Sequence, residues 1–441
     1  MAKRKESSVF TALRDKIKER TATLSVIGLG YVGLPLAVEM AKVGLRVHGI
    51  DVVASKVKMV NRGKSYVQDV SDSDLAGVVS RGRLTATSDY SVLRHSDAID
   101  ICVPTPLRKT KDPDISYIID AVEQIAKYLR KGQLVILEST TYPGTTEEVI
   151  LTRLQGRGLT VGRDFFLAFS PERVDPGNKA YATANIPKVV GGITKNCAMV
   201  ACELYRTCIE NVVPVSSTTV AEMVKLLENT FRSVNIGLVN EMCLMCDRMG
   251  IDVWEVIEAA ATKPFGFLKF LPGPGLGGHC IPIDPFYLSW KAKMAGFEPR
   301  FIELAGQINS SMPDYVVSKV NDALNEFRKS INGAKILVLG VAYKANVSDT
   351  RESPAIDIMR ELVVRGGEVS YSDPHVDEIR VDGRLMRSIR LSPATLKSFD
   401  CAVIVADHAA FNYGMIIRGS RVIVDTRNAL RNFKARNIRK I

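Results

Sequence analysis

Short apolar runs alternate with stretches of helical periodicity through the first half of the chain. From Thr23 onward the runs read LSVIG, RVHGID, AIDICVP, LVILEST and FFLAFSPE, and helical stretches lie between most of them. This alternation is typical of a parallel sheet whose strands are joined by crossover helices. The first half of the chain is therefore predicted to form an α/β domain.

The alternation of apolar runs and helical stretches ends near residues 212–214. From Thr219 to about Gly250 a single helical pattern carries Met223, Leu227, Val234, Leu238 and Met242. A helix of this length usually bridges domains or packs on a partner. After Pro313 the alternation resumes, and the runs KILVLG, EVSYSD, CAVIVAD and RVIVD predict the strands of a second sheet.

The predicted fold class is α/β, with two Rossmann-like doubly wound parallel-sheet domains joined by a central helical domain that contains a long helix. The changes of pattern place the boundaries. We expect a basic N-terminal extension (1–20), a first sheet domain (21–213), a central helical domain (214–312) and a second sheet domain (313–441).

Charge and cysteine usage narrow the function classes. The 441 residues carry a formal net charge of +11, but the basic residues are interspersed with acids, so a nucleotide-like small molecule explains the surplus at least as well as nucleic acid. No apolar run approaches the ~18 residues of a membrane span, and residues 1–20 lack the apolar core of a secretory signal. The eight cysteines are scattered, and only Cys243 and Cys246 form a C-x-x-C pair, so we expect reduced thiols, a cytoplasmic location and no metal site.

A glycine-rich turn follows the first predicted strand. Gly28, Gly30 and Gly33 stand in G-x-G-x-x-G spacing between the strand LSVI and the helical stretch LPLAVEMAKVG. Glycines at these positions permit a tight turn and a close approach of the backbone to a pyrophosphate at the helix N-terminus. Asp51 ends the next strand, eighteen residues after Gly33, where a carboxylate accepts the ribose hydroxyls of NAD and repels the extra phosphate of NADP. Together these features predict an NAD site.

Other polar residues follow predicted strands at their carboxyl ends, the edge at which open parallel sheets bind ligands. Pro104 and Thr105 follow AIDICV, Thr140 follows LVILES, and Glu172 follows FFLAFSP. Thr140 and Glu172 are interpreted as functional, whereas Pro106 and Gly144 are interpreted as turn formers.

The run Gly273-Pro274-Gly275-Leu276-Gly277-Gly278-His279-Cys280 presents a thiol at the end of a glycine-rich loop. A thiolate beside a nicotinamide cofactor can add to an aldehyde, and the adduct can lose a hydride to become a thioester. Asp284, four residues on, can orient groups at the same site. Cys280 is therefore the candidate nucleophile.

Lys225 and Asn229 lie one helical turn apart within the long helical pattern. An ammonium and an amide at that spacing can hold an oxyanion or an attacking water. Such a pair is usually a solvated helix face, but the neighbouring motifs favour a functional role.

These residues, together with Tyr343-Lys344 and the run Asp349-Thr350-Arg351-Glu352-Ser353, resemble the UDP-glucose/GDP-mannose dehydrogenase family. The resemblance covers nearly everything after the basic extension. It implies an N-terminal NAD-binding domain, a central helical region that forms a homodimer, and a C-terminal domain that holds a UDP-sugar.

The resemblance also implies residue roles. Cys280 would be the nucleophile in two successive hydride transfers that turn a C6 alcohol into a carboxylate. Lys225 and Asn229 would stabilise oxyanions, Asp284 and Thr140 would position water, and Glu172 would assist thioester hydrolysis. The implied cofactor-binding set is Gly28, Gly30, Tyr31, Val32, Gly33, Asp51, Lys56, Pro104, Thr105, Thr140 and Arg351. The implied substrate-binding set is Glu172, Arg173, Lys225, Asn229, Gly273, Gly275, Gly277, Tyr343, Lys344 and Arg427.

Two loops bear on the substrate. The segment 171–178, PERVDPGN, and the segments PTPL and KDPD after residue 103 are similar to those of the branch that oxidises UDP-N-acetylglucosamine. UDP-N-acetylmannosamine and UDP-glucose stay open as alternatives. A two-electron hydroxyacid dehydrogenase that uses Lys225 and Asn229 as an acid–base pair, and a non-catalytic nucleotide-binding protein, are the other hypotheses.

Overall fold

The computed structural model describes residues 8–67, 69–108, 112–174, 183–278 and 281–441. These residues divide into two compact units. The first comprises residues up to 228 together with 290–295, and the second comprises 229–289 together with 296–441. His279 and Cys280 lie outside the described residues.

The first unit is built on an eight-stranded sheet in the order β3-β2-β1-β4-β5-β6-β7-β8. Its strands are β1 (Thr23–Ile27), β2 (Arg46–Ile50), β3 (Leu84–Thr87), β4 (Ala98–Ile101), β5 (Leu134–Leu137), β6 (Phe166–Phe169), β7 (Lys188–Gly192) and β8 (Val212–Val215). The first six strands are parallel in the doubly wound order 3-2-1-4-5-6, and β7 runs antiparallel to β6. The five predicted strands are confirmed as β1, β2, β4, β5 and β6. β3, β7 and β8 were not predicted.

Helices cover this sheet. They are α1 (Ser8–Lys18), α2 (Gly33–Lys42), α3 (Ala54–Asn61), α4 (Asp72–Ser80), α5 (Ser116–Tyr128), α6 (Thr152–Leu154) and α7 (Lys195–Tyr205). A six-residue 3₁₀-helix (Tyr90–His95) precedes β4, a π-helical turn (Thr146–Leu151) leads into α6, and a short 3₁₀ turn (Gln155–Arg157) follows it.

The basic N-terminal segment contains an amphipathic helix. In α1, Phe10, Leu13 and Ile17 point into the core of the first unit, and Arg14 pairs with Glu203 of α7 at 2.6 Å. The basic side chains of the helix lie mainly on its other faces. This segment therefore contributes to the hydrophobic core of the sheet domain.

The long helix predicted from Thr219 is confirmed as α8 (Thr218–Met249), which begins in the first unit and continues into the second. It is followed by α9 (Val253–Ala260), α10 (Asp284–Met294) and α11 (Arg300–Asn325). α11 continues through Pro313. The predicted boundaries at 213 and 312 therefore fall inside β8 and α11. Among helices of the described segments, none combines the length and apolar character that a membrane span requires.

The second unit carries a five-stranded parallel sheet in the order β10-β9-β13-β14-β15. The four predicted strands are confirmed as β9 (Lys335–Leu339), β10 (Glu368–Ser372), β13 (Cys401–Ile404) and β14 (Ile423–Asp425). The edge strand β15 (Ile438–Lys440) and the hairpin of β11 (Glu378–Val381) and β12 (Arg384–Arg387) were not predicted. The helices α12 (Pro354–Val364), α13 (Pro393–Lys397) and α14 (Tyr413–Gly419) complete this unit.

In both sheets, the direction in which successive strands are added reverses at an internal position. The reversal lies between β1 and β4 in the first sheet and between β9 and β13 in the second. At such a point the loops at the carboxyl ends of neighbouring strands diverge and leave a crevice for a ligand. The fold thus provides one candidate ligand edge in each unit.

Candidate active site

The glycine turn after β1 is too crowded for side chains at two of its glycines. A Cβ on Gly28, whose φ is +93°, would lie 2.5 Å from the carbonyl oxygen of Cys102, and one on Gly33 would lie 1.9 Å from the oxygen of Gly28. At Gly30, in contrast, a Cβ would have no neighbour within 4 Å. The turn is therefore packed tightly against β4 on one side and open at Gly30 on the other.

Asp51 holds this turn from the end of β2. Its carboxylate accepts hydrogen bonds from the backbone N–H groups of Leu29, at 3.0 Å, and Val53, at 2.9 Å. Lys56 lies 3.6 Å from the same carboxylate, and the Tyr66 hydroxyl donates to the Leu29 carbonyl at 2.6 Å. Hydrogen bonds thus connect the acid to the glycine turn at the ligand edge of the sheet.

The carboxyl ends of β4 and β5 bring further predicted residues to this edge. Thr105, after β4, is 3% exposed, and Ser139, after β5, donates to the Val103 carbonyl at 2.8 Å. The next residue, Thr140, accepts a hydrogen bond from Lys225 Nζ at 2.6 Å. Lys225 is itself buried on α8. The structure therefore joins Thr140 and Lys225, two residues that are far apart in sequence.

Glu172, after β6, is held at both carboxylate oxygens. Its Oε1 accepts from the backbone N–H groups of Arg173 and Val174, each at 2.8 Å, and its Oε2 lies 3.5 Å from Lys188 Nζ. Burial acts to raise the pKa of Glu172, but Lys188, the two backbone donors and Lys225 outweigh it, so the pKa lies below its ordinary value. Glu172 is therefore an ionised carboxylate at the sheet edge.

A buried polar cluster continues behind Glu172. Lys188 Nζ, at the start of β7, lies 3.1 Å from Glu138 Oε2 at the end of β5. The Tyr205 hydroxyl donates to the other oxygen of Glu138 and lies 3.4 Å from Asp100 Oδ1. Burial, and then the neighbouring Glu138, raise the pKa of Asp100 well above its ordinary value. Burial and the neighbouring carboxyl groups thus favour the neutral form of Asp100, in a site where one ammonium faces several carboxyl groups.

A second buried acid clamps the loop after Thr140. Glu222, one turn before Lys225 on α8, accepts from the backbone N–H of Gly144 at 2.6 Å and from the N–H and hydroxyl of Thr146 at 2.9 and 2.7 Å. Burial raises the pKa of Glu222 to about 7, against the effect of these hydrogen bonds. The clamp ties α8 to the loop that begins at Thr140.

In the second unit, the predicted residues Asn229 and Asp284 are in contact. Asn229 Nδ2, on α8, donates to Asp284 Oδ2 at 2.5 Å. Asp284 is the first residue of α10 and is 1% exposed. The amide is therefore oriented by a buried carboxylate.

The glycine-rich loop packs against the C-terminal sheet domain over residues 273–278. A Cβ on Gly277 would lie 2.7 Å from the Tyr343 Cβ, and one on Gly278, whose φ is +88°, would lie 2.8 Å from the Tyr343 ring. The Gly278 N–H donates to the Arg351 carbonyl at 3.1 Å. At the other end of the loop, the Gly273 N–H donates to the buried Asn240 at 3.0 Å. Glycine is required here because the backbone itself touches the neighbouring loop.

Arg427, after β14, also contacts this loop. Its guanidinium would lie 2.5 Å from a Cβ on Gly273, and its Nε donates to the Val405 carbonyl at 2.9 Å. Loss of solvent lowers the pKa of Arg427 to about 10, which leaves it charged at neutral pH. Arg351 forms a 2.6 Å ion pair with Asp349. Tyr343 and Lys344 follow β9, and Arg427 follows β14, so all three lie at the carboxyl edge of the second sheet.

Comparisons with known proteins match three successive parts of the chain. Residues 22–209 match the NAD binding domain of the UDP-glucose/GDP-mannose dehydrogenase family, residues 219–311 match its central domain, and residues 337–432 match its UDP binding domain.

The chain belongs to the UDP-glucose/GDP-mannose dehydrogenase family. Its predicted fold class, its enzyme class and its cofactor are confirmed by this membership. It is an NAD-dependent dehydrogenase of nucleotide sugars, with a C-terminal domain of the UDP-binding type.

Individual relatives differ in the sugar they are named for. The chain is 39% identical to a UDP-N-acetyl-D-glucosamine 6-dehydrogenase from Pseudomonas aeruginosa, over 80% of this chain and 83% of that one. It is 35% identical to an NDP-N-acetyl-D-galactosaminuronic acid dehydrogenase from Ralstonia solanacearum, over 92% and 95%. The structure of a UDP-D-ManNAc dehydrogenase from Pyrococcus horikoshii superposes with a TM-score of 0.87 at 35% identity, covering 95% of this chain and 99% of that one.

Several structural residues of this family member were not predicted. Glu138, Lys188 and Tyr205 form the buried cluster, and Glu222 and Asn240 hold the two loops. One signal was present in the sequence, because a glutamate directly after the fully apolar strand LVIL must be buried and partnered. Of the predicted nucleophile nothing structural is described, because Cys280 lies outside the described residues.

Proposed function

We propose that this chain oxidises the C6 hydroxymethyl group of a UDP-N-acetylhexosamine, UDP-N-acetylglucosamine first among them, to the carboxylate, with two NAD reduced per sugar. The observation that carries the proposal is the 2.6 Å contact between Lys225 and Thr140 at the sheet edge that also bears the ionised Glu172. An ammonium, a hydroxyl and a carboxylate suit a reaction that develops an oxyanion and then consumes water.

The choice of sugar rests on the relatives and on loop sequence. The three relatives described above are all named for sugars that carry an N-acetyl group. The segment PERVDPGN, part of which is outside the described residues, is similar to that of the N-acetylglucosamine branch. UDP-N-acetylmannosamine and UDP-glucose are the alternatives that the assay below separates.

The residues of the first unit fit NAD. The crowding at Gly28 and Gly33 and the open side at Gly30 form a cradle for a pyrophosphate, and Asp51 stands where a ribose would be recognised. In this unit the proposed contacts are completed by Tyr31, Val32, Lys56, Pro104, Thr105 and Thr140. Arg351, a residue of the second unit, is proposed as a further cofactor contact. When bound, NAD supplies the hydride acceptor for both oxidations.

The chain's own residues carry the remaining chemistry. Loss of a hydride and a proton from the C6 alcohol gives an aldehyde, and the Cys280 thiolate adds to its carbon to form a thiohemiacetal. Loss of a second hydride and proton gives a thioester. Lys225 and Asn229 stabilise the negative charge that develops on the C6 oxygen, and the two partners, Thr140 and Asp284, orient them.

Hydrolysis completes the proposed reaction. Glu172 accepts a proton from a water molecule as the water oxygen attacks the thioester carbon. The carbon–sulfur bond then breaks, the Cys280 thiolate leaves, and the C6 carboxylate is released. Thr140 and Asp284 help to position this water.

The substrate's nucleotide is assigned to the second unit. Tyr343, Lys344 and Arg427 follow strands at its ligand edge. Gly273 brings the glycine loop against Arg427 and Gly277 brings it against Tyr343, and Gly275 between them belongs to the same proposed set. Arg173 completes the proposed substrate set. It pairs with Glu228 at 2.5 Å and donates to the Pro187 carbonyl, so it is already fixed in the first unit.

A stoichiometric assay tests the proposal. Purified protein is given UDP-N-acetylglucosamine, UDP-N-acetylmannosamine, UDP-N-acetylgalactosamine or UDP-glucose, and NADH and uronic acid are both measured. We expect two NADH per sugar, with the highest kcat/KM for UDP-N-acetylglucosamine. One NADH per sugar, with an aldehyde as the final product, would exclude the thioester route.

Two cysteine variants sharpen this test. Cys280→Ala is expected to abolish acid formation with every sugar. Cys208→Ala removes another thiol, partly buried in the first unit, and serves as the matched control that keeps wild-type turnover. Acid formation by Cys280→Ala would refute the assigned nucleophile.

We also propose a homodimer formed through the central helices. On α11, Phe301 is 79% exposed and Leu304 is 51% exposed, and on α8 Leu238 and Met249 are each more than half exposed. So many large apolar side chains in water suggest a covered interface. Phe301→Glu is expected to shift the molar mass in light scattering from dimer to monomer, whereas a wild-type monomer would refute the interface.

A further inference from the structure

The buried cluster behind Glu172 places charged groups in the interior of the first unit. Glu138 extends from the end of β5, Lys188 from the start of β7, and Tyr205 from the end of α7, and all three side chains are almost fully shielded from solvent. Removing an ammonium and a carboxylate from water is costly, and apolar residues of similar size are often at least as stabilising. Packing alone therefore does not explain why these positions carry charged residues.

The geometry of Lys188 points to that role. Its ammonium lies 3.1 Å from Glu138 and 3.5 Å from Glu172, and it stands 4.9 Å from the centre of the Tyr205 ring. Glu138 in turn accepts from the Tyr205 hydroxyl. Lys188 is therefore anchored on its inner side and presents its charge to Glu172 on its outer side.

We propose that Lys188 is a positioning residue that, anchored by Glu138, keeps the Glu172 carboxylate ionised and correctly placed to accept a proton from water. The inference rests on the proposed function, because it assigns to Glu172 the hydrolysis of the thioester. Lys188 itself acts only through Glu172.

The charged surroundings of Glu172 support this assignment. The first carboxylate oxygen is held by two backbone N–H groups at 2.8 Å and the second by the more distant Lys188 ammonium at 3.5 Å, so we assign the contact with water to the oxygen next to Lys188. Burial acts against the charge on Lys188, but Glu138 and Glu172 outweigh it, so the pKa of Lys188 lies above its ordinary value. Among the described residues, the titratable and charged groups of this cluster and its surroundings are Lys188, Glu138, Asp100, Cys102, Tyr205, Lys225, Arg173 and Glu228.

Without the ammonium, the buried Glu172 would retain its proton to a higher pH. A protonated carboxyl cannot accept a proton from water, so hydrolysis would slow while the two oxidations continue. The covalent sugar–enzyme adduct would then accumulate, and raising the pH would remove it.

The experiment compares Lys188→Met, Lys188→Arg and Glu172→Gln with wild type across the pH range in which the enzyme is stable. The adduct is followed by intact-protein mass spectrometry after acid quench, and acid formation is followed by product analysis. Lys195→Met, at an exposed lysine on α7, is the matched control.

We expect Glu172→Gln to slow hydrolysis by about 10²- to 10⁴-fold, the usual contribution of a positioned base, and to accumulate adduct at every pH. At the lowest pH tested, Lys188→Met should hydrolyse the adduct almost as slowly as Glu172→Gln. The ratio of the wild-type hydrolysis rate to that of Lys188→Met should then shrink by about tenfold for each unit of pH increase. Lys188→Arg should keep most of the wild-type profile, because it keeps the charge.

Two results would overturn the inference in different ways. If Glu172→Gln accumulates adduct but Lys188→Met shows the wild-type profile, or a loss that is equal at all pH values, only the role of Lys188 is wrong. If Glu172→Gln accumulates none, the assigned hydrolysis fails and the inference fails with it. Should Lys188→Met not fold because Glu138 is left unpaired, the double variant Glu138→Gln/Lys188→Met removes both charges and gives the same test.

Discussion

Glu222 provides a test of whether burial or hydrogen bonding controls a carboxyl group in this fold. Its carboxylate receives three hydrogen bonds, from the Gly144 N–H and from the N–H and hydroxyl of Thr146, and these favour the charged form. Its burial favours the neutral form and has the larger effect. The pKa of Glu222 is therefore raised from its ordinary value of 4.5 to about 7. The perturbation is Glu222→Gln, which removes the titration and keeps the shape.

The sign and size of the effect follow from proton linkage. Because the folded protein binds this proton more tightly than the unfolded chain does, the stabilising contribution is complete below pH 4.5 and is lost as pH rises to about 7. Each pH unit corresponds to about 1.4 kcal/mol, so wild type should lose about 3 kcal/mol relative to Glu222→Gln over this interval. The variant also leaves the Gly144 N–H facing an amide donor, which lowers its stability by about 1–3 kcal/mol at all pH values.

Tryptophan fluorescence offers a local assay. Trp290 belongs to the first unit, where its ring centre lies 4.9 Å from that of Tyr142, and Trp254 belongs to the second. In a Trp254→Phe background, urea unfolding followed through Trp290 reports the unit that contains Glu222. Glu147→Gln, an exposed acid in the same loop, is the matched control.

The difference in unfolding free energy between wild type and Glu222→Gln should change with pH by the amount given above. Parallel curves for the two proteins would show that Glu222 does not titrate in this range. A wild type that gains stability with pH, relative to the variant, would show that the hydrogen bonds outweigh burial. Either result would refute the reasoning.

Three further changes have defined outcomes. Phe10→Ala should destabilise the first unit by about 3–5 kcal/mol in the same fluorescence assay, because this fully buried ring packs against Phe166 in the core. An unchanged midpoint would mean that α1 is dispensable. Asp51→Asn should narrow the kcat/KM preference for NAD over NADP by at least about tenfold, since it removes the like charge that opposes the extra phosphate, and an unaltered preference would contradict this role. Gly278→Ala should raise the KM for the UDP-sugar by about tenfold, equivalent to about 1.4 kcal/mol, because its Cβ displaces the Tyr343 ring. Gly296 also has a positive φ, but a Cβ there would have no neighbour within 4 Å, so Gly296→Ala should leave the KM unchanged. An equal increase in KM for both variants would indicate that backbone strain alone is responsible.

Elements with strong local signals were predictable from the sequence. The bounds of α8 differ from the prediction by about one residue, because its 32 residues keep one helical periodicity and contain no proline. The glycine turn after β1 was predictable because backbone crowding admits no other residue at Gly28 and Gly33. In both cases the signal lies within a short stretch of sequence, although the crowding at Gly28 comes from Cys102, which is distant in sequence.

Other elements depend on neighbours that a linear pattern does not reveal. β3, with the sequence LTAT, is too polar to be distinguished from a loop, and only its pairing with β2 makes it a strand. β8 contains Pro214, which disfavours a central strand but is tolerated here because β8 lies at the sheet edge. Pro313 likewise suggested a helix boundary, yet α11 continues through it, with Pro313 fully packed in its interior.

The contacts of the candidate site also lie beyond sequence patterns. Lys225 was predicted to be functional, but its contact with Thr140, 85 residues away, could not be predicted, because only the fold brings the end of β5 next to α8. Glu222, three residues before Lys225, resembles an ordinary helix residue until the loop at Gly144 is placed against it. Polar residues that orient other residues carry no motif, because their partners come from different elements.

The buried charges in the first unit allow the stability of the sheet and its function to be tested separately. Asp100, Glu138 and Lys188 occupy positions where β4, β5 and β7 could carry apolar side chains, as most of their neighbours do. Replacing a buried ion pair by apolar residues is often neutral or stabilising, so Glu138→Leu/Lys188→Met should unfold at the same or a higher urea concentration than wild type. If this variant is stable but hydrolyses its covalent intermediate slowly, the charges are retained for the ionisation of Glu172. If it is stable and hydrolyses normally, Glu172 is held by its two backbone donors alone.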